Sequence, residues 1–457
     1  MRQLFSCFLA FLAVFSLTAQ PVAAQSILRD AETEAFLQEL MRPLVEVSEL
    51  ESPNVEVVLV HDPSINAFVA GGQRVYIHTG LIDAADTANE VQGVLAHELG
   101  HITGGHIVRY GEGAKAATNI TLLSLLAGVG AALAGSGDAA MAALMMGQRA
   151  AIGKFLAYSR GEESSADAAG ARYLSEAGIS GRGSIEFFKK LQNQEFRYGY
   201  SQDDDAAFVR THPLSGDRIA RLRDTYMADP AWDAPDDPKM QAWFLRIKAK
   251  LAGYVDEPER TYRDFPVSDT SIPARYARAY AYHKDARIEQ ALTETRSLIA
   301  DYPDDPYFLE LQGQVLLESG RAQEALASLR RATELTRAQP LIAALFGHAL
   351  VATENQENFE EAERVLRAAV ARDRYNPFAW HQLGMVYAAR GDMPRARLAS
   401  AEQQVMTRQY ASAMRSAQVA EAGLEVGTPD WIRAQDIALQ ARAAFEMELE
   451  QRGRIKR

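Results

Sequence analysis

The sequence has almost no cysteine. The one it has, Cys7, lies inside an apolar run near the N-terminus. A chain cut after that run carries no thiol, which excludes disulfide stapling and cysteine-ligated metal. Positive charge is also short: 48 Lys and Arg stand against 60 Asp and Glu, for a net charge of −12. No basic field marks a nucleic-acid binder, and no nucleic-acid partner is expected. Long apolar runs are scarce. Residues 4–17 and 118–134 form the two main ones, and both fall short of the ~20 residues that span a bilayer as a helix.

What is present points to export. Met1-Arg2-Gln3 precedes the first apolar run, and Val22-Ala23-Ala24 supplies small residues where a signal peptidase cuts. That pattern predicts a secretory signal over 1–24, cleaved after Ala24. An exported chain without disulfides fits a bacterial periplasm better than a eukaryotic extracellular space. The 457 residues allow two or three domains, and 47% apolar with 24% charged residues is an ordinary globular balance.

Residues 28–52 read as a helix, and 55–61 and 73–78 as strands rich in Val, Ile and Tyr. Gly71-Gly72 marks a tight turn between them. Thr87-Ala88-Asn89-Glu90 reads as a capping box opening a helix that runs to about Arg109. Residues 118–147 are apolar on both sides of Gly135-Ser136-Gly137-Asp138. They read either as a buried or flexible helical hairpin, or as one that covers substrate or touches a membrane surface.

Residues 229–272, rich in Pro and Asp, read as a linker around one helix at 239–253. Beyond it the chain repeats. Pro306, Pro340 and Pro377 each precede a helix, and Gly313, Gly347 and Gly384 each fall seven residues later. Ala325, Ala362 and Ala396 follow the prolines by 19, 22 and 19 residues. A period of 34 with a three-residue insertion near 355–358 is the tetratricopeptide pattern. A weaker copy starts at Pro273, and a degenerate helical pair follows Tyr410. The expected domains are a first domain at 25–228, the linker at 229–272, and repeats with C-terminal helices at 273–457.

Nine histidines are present, and two of them sit in His97-Glu98-Leu99-Gly100-His101. Residues four apart share one helix face, so both imidazoles can bind one zinc ion. Glu98 lies one residue after the first ligand, where it can take a proton from a water that the metal activates. A third ligand is needed. A His six residues after His101 would supply it in the metzincin pattern, but that position is Ile107. His106 misses by one and points away on a continuing helix; a break at Gly104-Gly105 would let it ligate, and otherwise it reads as a support for the site or the fold. The better candidate is in Ser159-Arg160-Gly161-Glu162-Glu163-Ser164-Ser165-Ala166-Asp167. Glu163 can ligate the metal while Asp167, four residues on, orients a ligating imidazole. Glu162 is the rival and faces elsewhere. Residues 73–78 read as a sheet edge for an extended substrate, with Asn66, Arg74, Val75 and Tyr76 along it.

These motifs carry a resemblance. The metal helix, the segment Ser159 to Asp167, and Thr211-His212-Pro213 with Arg218 resemble the gluzincin peptidases of the CAAX-prenyl-protease/HtpX superfamily. Asn66-Ala67-Phe68, Gly71-Gly72 and Thr79-Gly80-Leu81 add to it. The specific motifs cover residues 28–225, and the resemblance at 270–410 is one of repeat type alone. With its signal and repeats, the whole chain resembles the beta-barrel assembly-enhancing protease group of Gram-negative periplasms. The resemblance implies a mostly α, α+β fold: a zincin-type domain with a small sheet, then an α-solenoid. It implies one zinc per chain on His97, His101 and Glu163, with Glu98 as general base. Its clients would be misfolded or stalled outer-membrane proteins, with the repeats docking them or an assembly complex. For His212, three readings stand: a catalytic contact to substrate or oxyanion, a fourth ligand that closes the site, or a loop residue beside Pro213. The alternative function is a chaperone-like adaptor with latent protease activity.

Overall fold

A computed structural model describes residues 26–50, 55–106, 115, 118–127, 137–198, 212 and 216–455. The expected signal and Arg109 lie outside the described residues. The chain forms two compact units. The first takes in residues up to Leu28, Pro43–Ala85 and Glu90–Asp233; the second takes in Arg29–Arg42, Asp86–Asn89 and the chain from Ala234.

In the first unit, a four-stranded sheet runs in the order β1 (Ser26–Ile27), β2 (Glu56–His61), β4 (Arg74–His78), β3 (Ala67–Ala70). β2 and β4 are parallel, and β1 and β3 are antiparallel to their neighbours. The expectation that residues 73–78 form the sheet edge is therefore corrected. Gly71 and Gly72, at φ of +61° and +105°, fold the short β3 back on the far side of β4. Among the described residues β4 is internal, and β1 and β3 are the edges. The sequence hid this because four residues of β3 are too few to show alternation.

α1 (Ala31–Glu46) precedes the second strand, and α2 (Thr79–Ala84) follows the fourth. α3 (Ala88–Thr103) carries the His-Glu-x-x-His motif. It stops earlier than the expected Arg109, because Gly105 adopts a left-handed turn at φ +65° just beyond its end. α4 (Gly137–Glu176), α5 (Arg182–Tyr198) and α6 (Gly216–Met227) complete the unit. Its buried side chains include Leu95 and Leu99 of α3, Val75 and Ile77 of β4, and Phe187 and Phe188 of α5. Within the expected apolar hairpin, residues 118–127 and the start of α4 are helical. Leu123, Leu126, Met145 and Met146 there are 65–72% exposed, so these side chains are not core. Among the described residues, no helix is long and apolar enough to cross a membrane.

The second unit is a helical array: α7 (Pro238–Val255), α8 (Pro258–Asp264), α9 (Ile272–Lys284), α10 (Ile288–Asp301), α11 (Pro306–Glu318), α12 (Ala322–Leu335), α13 (Pro340–Ala352), α14 (Phe359–Arg372), α15 (Pro377–Ala389), α16 (Met393–Met406), α17 (Tyr410–Gly423) and α18 (Pro429–Ile455). The recurring prolines occupy first turns, where a missing N–H costs nothing. Asp305, Gln339 and Asn376 cap the helices that these prolines open. Gly313 and Gly347 lie where an added Cβ would collide with Leu329 and Leu366, so the period marks close helix crossings. A short 3-10 turn, Gln356–Asn358, takes up the insertion.

The units divide differently from the sequence-based domains. α7 and α8 occupy the stretch read as a linker, and α7 lies in the second unit. So do residues 29–42. Glu32 is fully buried there, with Arg246 Nε at 2.6 Å and the Tyr276 hydroxyl donating at 2.8 Å. Lys250 pairs with Asp30 at 2.6 Å. Ala31 joins Leu309, Ala332 and Ile342 in one apolar cluster.

This cluster sets a pH dependence. Loss of hydration pushes the Glu310 carboxyl up to about 8, against the pull of Lys250 and with Asp30 and Glu32 adding to the push. Between the ordinary carboxyl value and about 8, the folded chain holds a proton that the unfolded chain has released. Stability from this group therefore falls as pH rises through that window. Glu310→Gln should flatten the decline in melting temperature between pH 5 and 8; equal slopes in the two proteins would contradict it.

Candidate metal centre

The centre is built where α3 crosses α4. A Cβ on Gly100 would lie 2.5 Å from the Ala166 carbonyl oxygen, and one on Gly170 would lie 3.0 Å from that of Ala96. The two glycines let the backbones touch. Glu163 and Asp167 flank Ala166 on one helix, and His97 and His101 flank Gly100 on the other. Contact at Gly100 therefore brings Glu163 to both imidazoles and Asp167 to His97.

His97, His101, Glu163 and His212 are buried, and each offers a ligand atom within 4.8 Å of the others. Five pair distances define the cluster. His97 Nε2 is 3.1 Å from His101 Nε2, 3.4 Å from Glu163 Oε2 and 3.3 Å from His212 Nδ1. Glu163 Oε1 is 3.4 Å from His101 Nε2 and 3.0 Å from His212 Nδ1. Donors about 2.0–2.1 Å from a tetrahedral zinc stand about 3.3 Å apart. The donor set and its spacing fit that ion.

Asp167 and Arg218 lie against this cluster. His97 Nδ1 meets Asp167 Oδ1 at 2.9 Å. Arg218 donates from Nε and Nη2 to the two Asp167 oxygens at 2.6 and 2.7 Å, and its Nη1 reaches Glu163 at 2.9 Å. Glu98 is 0% exposed, and neither carboxylate oxygen has a hydrogen-bond partner among the described residues. His212 Nε2 stands 3.5 Å from its Oε1. His106 is not in the cluster. Its Nδ1 lies 2.8 Å from His101 Nδ1, on the side of that ring away from the other donors.

The charges are strongly coupled. Burial alone would lower the His97 pKa, yet hydrogen bonds to Asp167 and Glu163 raise it to about 9. Burial opposes ionisation of Glu163, yet His101 and His212 hold its carboxyl well below the usual range. Burial lowers His101, which is pulled both ways by its neighbours. A divalent cation binding there must compete with the proton that Asp167 and Glu163 favour on His97.

Of the substrate-edge residues expected from sequence, none lies in the cluster. Asn66 is buried and its carbonyl accepts from His78 N at 3.0 Å. Arg74 pairs with Glu56 at 2.6 Å, Val75 is core, and Tyr76 stacks on Phe68. Sequence reasoning missed Gly100 and Gly170 as packing determinants. The signal was a glycine inside a helix, which has no propensity reason to be there.

Comparison with known proteins agrees with this geometry. Residues 31–226 match the family model described as Peptidase family M48. Residues 276–340 and 352–410 match a Tetratricopeptide repeat model. The chain is 24% identical over 384 residues to the Beta-barrel assembly-enhancing protease of Yersinia pestis, covering 82% of this chain and 76% of that one. Identity to the protein of the same name in Escherichia coli K12 is 24% over 355 residues, covering 75% and 69%. Metalloprotease LoiP of E. coli K12 is 31% identical over 179 residues, covering 38% of this chain and 64% of that one.

The crossing is testable through Gly100→Ala. The added methyl should destabilise the protein by about 1–3 kcal/mol through overpacking and lower its zinc content after gel filtration. Gly161→Ala, where an added Cβ meets nothing, is the control. Wild-type melting and zinc retention in Gly100→Ala would show that the helices do not touch as described.

Proposed function

We propose that this chain, with its M48 metallopeptidase domain and tetratricopeptide repeats, is a periplasmic zinc endopeptidase acting on misfolded or stalled outer-membrane proteins. The observation that carries the reading is Glu98: a buried carboxylate with no hydrogen-bond partner among the described residues, beside four side chains that could hold a metal ion. Leaving such a group unpaired costs free energy unless it has chemical work to do.

His97, His101 and Glu163 would hold the zinc. When bound, the ion would polarise a peptide carbonyl and lower the pKa of a water to about 7. Glu98 takes the proton of the attacking water and delivers it to the leaving amine. Asp167 fixes the His97 ring, and Arg218 holds Asp167 and Glu163 in register. An extended client would pair with β3, an edge strand among the described residues, rather than with β4.

His212 gates this chemistry. Its Nδ1 completes the donor set and its Nε2 faces Glu98. Four protein donors leave a tetrahedral zinc no open position, so this arrangement is latent. Activity requires His212 to leave. The same contact favours the second reading, an assembly adaptor whose proteolysis is held in reserve. The repeats dock clients or an assembly complex, consistent with the names of the relatives. The exposed leucines and methionines near residues 122–146 are suited to peripheral contact with a membrane surface.

Casein cleavage separates the readings. Glu98→Gln should keep its zinc and lose about 10²–10⁴-fold in rate; undiminished cleavage would refute the mechanism. His212→Ala should keep zinc on three ligands and cleave several-fold faster than wild type. A slower variant would make His212 a catalytic group instead of a gate.

A further inference from the structure

His106 and Glu162 have no part in the chemistry above, yet His106 is buried and aimed at a ligand. His101 meets the cluster through Nε2. A neutral imidazole that gives one nitrogen to a cation carries its proton on the other. His101 Nδ1 is then a donor, and His106 Nδ1, 2.8 Å away, must accept. That fixes the His106 proton on Nε2, which stands 3.3 Å from Glu162 Oε2. This Glu162 oxygen is itself buried, and its approach to His106 is an ion-pair contact rather than an aligned hydrogen bond. Each step has one permitted polarity.

The local backbone is shaped for this contact. On a continuing helix, a residue five after His101 would lie about 140° round the axis. Gly105, at φ +65°, ends α3 and folds the next residue back over its last turn. Gly104 leaves the space that the His106 ring fills; any Cβ there would collide with it. Two adjacent glycines thus serve one ring position.

We infer that His106 is a positioning residue, holding His101 through its Nδ1 and backed by Glu162, as Asp167 holds His97. The site then has two supports of different construction: a carboxylate directly on His97, and an imidazole–carboxylate pair on His101.

The test is zinc affinity, measured by competition with a chromophoric chelator, alongside melting of the metal-free proteins. His106→Leu should bind zinc about 10–100-fold more weakly. His106→Asn places Oδ1 where Nδ1 was and should recover most of that loss. A merely packing role would instead make affinity follow metal-free stability, with Asn no better than Leu. Affinity of His106→Leu within about threefold of wild type, or equal affinities for Leu and Asn, overturns the role. Should His106→Leu not fold, Glu162→Ala leaves the ring in place and must still weaken binding; unchanged affinity there overturns it. The positioning role rests on the zinc reading proposed above. Failure of wild type to bind zinc sinks that reading, whereas tight binding by every variant sinks the positioning role alone.

Discussion

The backbone contact between α3 and α4 at Gly100 and Ala166 is the constraint on which the centre depends. Helices usually pack 8–10 Å apart, at a distance set by the side chains between them. Here glycine removes those side chains, and the short side chains of Glu163 and Asp167 reach imidazoles on the neighbouring helix. With an ordinary spacing, only long side chains could bridge, and their freedom would cost the site its geometry. The same contact explains why ligands and supports alternate along α4: one turn carries Glu163 to the cluster, and the next carries Asp167 to the far side of His97.

Closeness creates an electrostatic burden. Glu98, Glu163 and Asp167 are all buried, and Arg218 is the cation that faces two of them. Buried charges are costly unless paired and hydrogen-bonded. Arg218 satisfies Asp167 at both oxygens and shares Glu163, while neither Glu98 oxygen has a hydrogen-bond partner among the described residues. A divalent cation would offset this excess, so structural balance and catalysis call for the same ion. His212 fills the remaining donor position and turns its other nitrogen to Glu98. One loop residue thereby touches both the ligand set and the base.

Much of this was legible in the residues. The spacing of His97 and His101 is a helix period, and Glu163 with Asp167 repeats it, so pairing the two faces needed only chemistry. The prolines and glycines of the repeats were legible because each has a fixed backbone task, at a first turn or a helix crossing. Other features depend on distant partners and leave no local trace. Arg29 to Glu32 read as the start of a helix, but their partners Arg246, Lys250 and Asp373 lie more than 200 residues away. The edge of the sheet was misplaced because β3 is shorter than any periodic signal. Gly104-Gly105 was legible as a possible helix break, but the contact of His106 with His101 that the turn at Gly105 makes appears only in three dimensions.

The most direct measurement is an anomalous-scattering map at the zinc edge from crystals of the zinc-loaded protein. The expected result is one peak per chain, about 2.0–2.2 Å from His97 Nε2, His101 Nε2, a Glu163 oxygen and His212 Nδ1. No peak among these four residues, or a peak that His97 and His101 do not share, would contradict the account.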